Sequence, residues 1–170
     1  MTDAPPTANA PPTADAPPTA DVPSLSALPD DARAWVYVTA EPLSDRAARG
    51  IEAGLAAFFG GWHSHGRTVR GGAEVRENRI VVVAAHVEGG DISGCGIDQH
   101  VRVLDHLLGE HGAALADVLA VVYRDRDGTL RTATRPEFRK MREAGAASGT
   151  LRRDAGTLGE VRSGLDVPLA

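Results

Sequence analysis

The chain has 170 residues with a net charge of −5, from 18 Lys+Arg against 23 Asp+Glu. That is enough for one domain with a real core and tails, and the acidic balance argues against a nucleic-acid footprint. One cysteine excludes an intramolecular disulfide or a multi-cysteine zinc finger, and no apolar run approaches the roughly 20 residues of a membrane helix.

Cytoplasmic localisation is therefore expected. The opening residues have neither a charged n-region nor an apolar h-region, so no secretory signal is expected. Residues 4–21 are three copies of a six-residue unit, APPTAN, APPTAD and APPTAD. Paired prolines fix φ and remove donors, which predicts an extended, polyproline-leaning disordered arm over residues 1–24. Its readings are a spacer, a ligand for a proline-binding groove, or a neutral repeat expansion.

The domain is expected over residues 25–149. Trp35-Val36-Tyr37-Val38-Thr39 alternates as a strand. Ser44 then caps a helix whose apolar face is Ile51, Leu55, Phe58, Phe59 and Trp62. A second strand over 68–76 turns at Glu77-Asn78 into a third, whose unbroken apolar run from Ile80 predicts a central strand covered on at least one side. The next helix, over 97–111, carries Ile97, Val101, Leu104 and Leu108 in one stripe. A fourth strand over 118–123, a turn at 125–128, a short fifth strand and a helix started by Pro136 follow. Residues 150–170 are glycine-rich and read as coil.

The order β-α-β-β-α-β predicts an α+β domain of ferredoxin-like, split βαβ topology, with an added hairpin strand and C-terminal helix. In that topology the loop His63-Ser64-His65-Gly66 and the segment Ser93-Gly94-Cys95-Gly96-Ile97-Asp98 fall at one end of the sheet. The 125–128 hairpin is expected to border the same end.

Two chemistries follow for that end. Cys95, expected just ahead of a helix N-terminus, pairs with His65 as a thiolate–imidazole couple, with Asp98 or Asp91 orienting the ring. Ser93, Gly94 and Gly96 then supply backbone donors for a small anionic ligand. Alternatively His63 and His65, with Cys95 and a carboxylate, hold a metal ion. Against both stands a plain folding turn in which Ser93 caps and Cys95 fills space. His86, His100, His106 and His111 read as half-buried or solvated, with His100 a remote alternative base. Trp35 and Trp62 read as core. The cofactor stays open. P-loop and dinucleotide motifs are missing, which removes those nucleotide chemistries in their standard form.

Trp62-His63-Ser64-His65-Gly66 and Ser93-Gly94-Cys95-Gly96-Ile97-Asp98, with Trp35-Val36-Tyr37 near the start, resemble a family of small uncharacterised bacterial proteins often labelled "ABC transporter ATPase". The resemblance covers roughly residues 25–149. It implies no established activity, and the ATPase label conflicts with the missing motifs. Gly96 departs from the serine that relatives tend to carry after the cysteine. Two function classes remain: a thiol-dependent or ligand-binding site, and a non-catalytic homodimeric interaction module.

Overall fold

The computed structural model describes residues 24–169, so the expectation for the repeat arm lies outside the described residues. Three layers form the domain: two helices, a three-stranded antiparallel sheet, and a four-stranded antiparallel sheet. The first sheet has the order β1-β5-β4, built from Arg33–Val38 (β1), Arg70–Arg76 (β4) and Ile80–His86 (β5). Asp45–Phe59 (α1) and Gly94–Glu110 (α2) cover one face; His63–Ser64 (β2) and Arg67–Thr68 (β3) form a small hairpin between α1 and β4.

The unbroken apolar run of β5 has a simple cause: both faces are buried. Val81, Val83 and Ala85 pack with Ile51, Leu55, Leu104 and Leu108 on the helix side. Ile80, Val82 and Ala84 join Val122, Leu130, Leu151 and Leu158 on the other side. Strands covered on both faces cannot alternate with polar residues.

The second sheet has the order β7-β6-β8-β9. Its strands are Val121–Asp125 (β6), Leu130–Ala133 (β7), Ala147–Leu151 (β8) and Asp166–Pro168 (β9). Arg135–Glu143 (α3) and Leu158–Arg162 (α4) each start with a reciprocal capping box, Thr134 with Glu137 and Thr157 with Glu160. The tail beyond residue 149, expected as coil, is thus part of the core, through Leu151, Ala155, Leu158, Val161 and Leu165.

The ferredoxin-like order is present only in its first three strands. The strand expected beside β1 belongs to the second sheet instead. Residues 114–116 do begin to pair with the end of β1: Ala40 donates to the Ala114 carbonyl at 2.9 Å and Ala116 to the Val38 carbonyl at 2.8 Å. The chain then leaves, and β6 pairs with β7 and β8. The hairpin at 125–128 also lies away from the expected place. Arg124, just before it, grips Glu77 of the β4–β5 turn and Asp166 of β9. That is the end of β5 opposite to the one that leads to Ser93.

Arg79 locks this same end. It is buried, and its guanidinium donates to the carbonyls of Thr39, Ala40 and Leu130. A buried guanidinium is tolerable only with its donors satisfied, and burial still pulls its pKa below the usual value.

Candidate functional site

The two loops singled out in the sequence do meet. Ser93 donates its N–H to Ser64 Oγ at 2.9 Å, and the Ser64 hydroxyl donates to Ser93 Oγ, also at 2.9 Å. Ser93 Oγ in turn accepts from Gly96 N–H at 3.2 Å and is the N-cap of α2. Cys95 therefore sits inside the first turn of the helix rather than ahead of it, because Ser93 closes the cap two residues earlier.

The meeting point of the two loops is closely packed. Gly96 is buried, and a Cβ there would meet Ile92 at 2.9 Å and Ser64 Cβ at 3.5 Å. Its carbonyl accepts the Trp62 indole N–H at 3.2 Å. One donor of the helix N-terminus is thus already spent on the cap. Cys95 and Asp98 are exposed, as are His63, His65 and Gly94. His65, at φ 49°, and Gly66, at φ 75°, form the tight turn of the β2–β3 hairpin, and His63 Nδ1 bonds the Gly61 carbonyl at 2.8 Å. None of the hydrogen bonds joining the two loops uses the side chains of Cys95, His65 or Asp98. Among the described residues no group of three or more His, Cys, Asp or Glu side chains is placed to hold a metal ion.

A polar group that the sequence reading left on the helix surface lies directly beneath this turn. His100 is fully buried, with its ring 4.5 Å from Trp35 and 5.5 Å from Trp62. Its Nε2 bonds the Tyr37 hydroxyl at 2.8 Å, while Nδ1 has no hydrogen-bond partner among the described residues. Burial drives the His100 pKa from 6.5 down to about 4, against weaker opposing pulls from the Gly96 carbonyl and Asp98. Burial likewise pushes the Tyr37 hydroxyl far above its usual range. The buried stripe of α2 is Gly96, His100, Leu104 and Leu108, an even spacing of four. The expected stripe started one residue late and so passed over His100.

The second place with site-like geometry is the free edge of β1. Arg33, Trp35 and Tyr37 exchange their backbone bonds with β5, so Ala34, Val36 and Val38 direct theirs outward. One end of that edge is closed where Gly156 accepts from Ala34 N–H at 3.0 Å, the other where Ala116 bonds Val38. Between them the N–H and C=O of Val36 meet no backbone or side-chain partner among the described residues. The gap opens into a groove of about 590 Å³ walled by Trp35, Tyr37, Leu115, Val118, Arg153 and Ala155. Val118 is 81 % exposed at its rim.

The opposite edge of this sheet is protected: Glu52 of α1 accepts from Val75 N–H of β4 at 2.8 Å. Exposed edge groups are usually blunted in this way. The middle of β1 has no such side-chain acceptor among the described residues. No sequence signal marked the gap, because it is made by two segments, 114–116 and 156–157, that come from far along the chain.

Comparison with protein-family models, with curated proteins and with solved structures finds no match to this chain. No helix among the described residues is long and apolar enough to cross a membrane.

Proposed function

We propose that the chain is a non-catalytic interaction module that receives a short extended peptide on the open edge of β1. The observation that carries this is Val36, whose outward N–H and C=O are recessed between two closed ends and apolar walls. A peptide residue laid opposite would exchange two backbone bonds with it, and the groove would take the flanking side chains. Two measurements on a chain lacking residues 2–23, whose core from Leu25 to Leu165 is complete, test the reading. The Val36 amide should exchange with solvent faster than those of Trp35 and Tyr37, which are bonded to β5. A panel of extended peptides titrated into isotopically labelled protein should move the amides of residues 34–38. Slow exchange at Val36, with no peptide moving those signals, would end the proposal.

In this reading residues 93–98 are a structural turn. The competing thiol reading, with Cys95, His65 and Asp98 acting on a small anionic ligand, has one support: the exposure of Cys95 in the first turn of α2. The commitment of Ser93 to the cap and the burial of Gly96 weigh against it. Kinship with the small bacterial proteins labelled "ABC transporter ATPase", a cytoplasmic location and homodimer formation are part of the proposal. The order β1-β5-β4 with both helices on one face supports a ferredoxin-like origin for residues 33–110.

A further inference from the structure

Resting on that reading, we infer that the occupant of the β1 groove is the chain's own repeat arm, residues 4–20, folded back onto its domain. Three independent features of the groove fit this segment.

The first is width. Among the described residues Val36 is the one residue of β1 with both outward backbone groups unpaired, because Ala34 N–H and Val38 C=O are already engaged. In an antiparallel pairing the residues on either side of the paired one turn their N–H groups away. Proline at those positions then costs no bond, which is the condition under which proline is accepted on an edge strand. Each repeat provides such a residue: Ala10 and Ala16 precede a proline, and Thr7, Thr13 and Thr19 follow one. A longer open edge would have excluded these proline pairs.

The second is the wall. Trp35 and Tyr37 are half-buried and, with Val118 and Leu115, line the groove. Aromatic-lined grooves suit proline rings, and proline-rich segments bind them with little loss of conformational entropy.

The third is charge and reach. Residues 1–24 carry Asp3, Asp15 and Asp21 and no lysine or arginine. The groove is flanked by Arg33 and Arg153; Asp154 is the carboxylate in its lining, and Asp91 lies 3.8 Å from the Arg33 guanidinium outside it. Seventeen residues in an extended chain reach about 50 Å at about 3.1 Å per residue, more than the roughly 40 Å across a domain of this size. A tethered segment of this kind sees its site at an effective concentration in the millimolar range. Three copies of the unit supply three chances of the right register.

The test compares the full chain with one lacking residues 2–23. The shortened chain keeps every core residue, since the core runs from Leu25 to Leu165. Removing the arm should shift the amides of Trp35, Val36, Tyr37 and Val118 and leave those of α3 unmoved. The free peptide APPTADAPPTAD should restore the shifts saturably in the shortened chain, and bind the full chain at least tenfold more weakly because the arm competes. Val118→Asp, at an exposed rim position that leaves the core intact, should weaken the peptide at least fivefold. If unrelated extended peptides move the same amides and the repeat peptide has no advantage over a scrambled one, the arm falls while the open-edge reading survives. Shifts that grow with protein concentration would assign the groove to a second copy and also overturn the arm. If no peptide moves these amides, both readings fall.

Discussion

The Tyr37 hydroxyl and His100 Nε2 lie 2.8 Å apart, one on β1 and one on α2, directly beneath the Ser93 turn. The pair ties the strand that carries the groove to the helix that carries Cys95. His100 holds its pKa near 4 because burial disfavours its charge. The unfolded chain takes up this proton as pH falls through about 6.5, and the folded chain resists until about 4. The stability that neutral His100 represents is complete above pH 6.5 and is lost progressively towards pH 4, by at most about 3 kcal/mol. Urea unfolding at pH 7.5, 6 and 5 should show this slope in the parent and a flatter one in His100→Gln. Equal slopes would mean that the ring is not held neutral. Glu77 and Glu160 are held below the usual carboxylate range by the Arg124 hydrogen bond and by Gly156 N–H respectively, so the stability they add is lost at the acid end of this window and below it, equally in the parent and in His100→Gln.

Arg79 gives a second test. Its three carbonyl partners belong to the end of β1 and to β7, so it joins the two sheets. Arg79→Met keeps the stem but leaves buried carbonyls unpaired, which should cost about 3 kcal/mol. Arg79→Lys should recover only part of this, because one ammonium cannot span three acceptors. A loss below about 1 kcal/mol in urea unfolding would show that water replaces the guanidinium there.

Ser93 and Cys95 separate the structural from the chemical reading of the same turn. Ser93→Ala removes the N-cap and the bond donated by the Ser64 hydroxyl together, keeps the bond from its own N–H, and should destabilise by about 1–2 kcal/mol. Cys95→Ser changes one exposed atom and should stay within about 0.5 kcal/mol of the parent, with peptide binding unchanged. The Cys95 thiol should alkylate in the native protein at the rate of an exposed thiol. A rate that stays high well below pH 8 would revive the thiolate site.

What the sequence revealed and what it hid follow the range of the interactions involved. The main strands and helices through α2, the Glu77-Asn78 turn and the Ser44 cap rest on neighbouring residues and are found, whereas the short β2–β3 hairpin stands where a loop and the start of a strand were expected. Thr157 and Glu160 carry an equally local capping signal for α4, overlooked amid the surrounding glycines. The partner of β6 was not legible, since residues 114–116 offer β1 a pairing that the second sheet outcompetes after Asp117. The loop convergence at Ser64 and Ser93 was foreseen from topology. Its purpose was not, because the burial of His100 and the packing of Gly96 depend on side chains from four separate elements.

Two glycines distinguish tight packing from backbone freedom. At Gly71 of β4 a Cβ would lie 2.4–2.9 Å from the Phe59 ring, a rigid group buried against Trp62. Gly71→Ala must displace α1 or the ring, an overpacking expected to cost about 1–3 kcal/mol. Gly66 has nothing within 4 Å but sits at φ 75° in the β2–β3 turn. Gly66→Ala should cost about 1 kcal/mol from backbone strain alone. The two losses should also respond differently to a second change. Phe59→Leu, which removes the ring, should cancel part of the Gly71→Ala penalty and leave that of Gly66→Ala untouched. A double-mutant cycle with no coupling between residues 59 and 71 would show that the strand, not the ring, sets the spacing between α1 and the sheet.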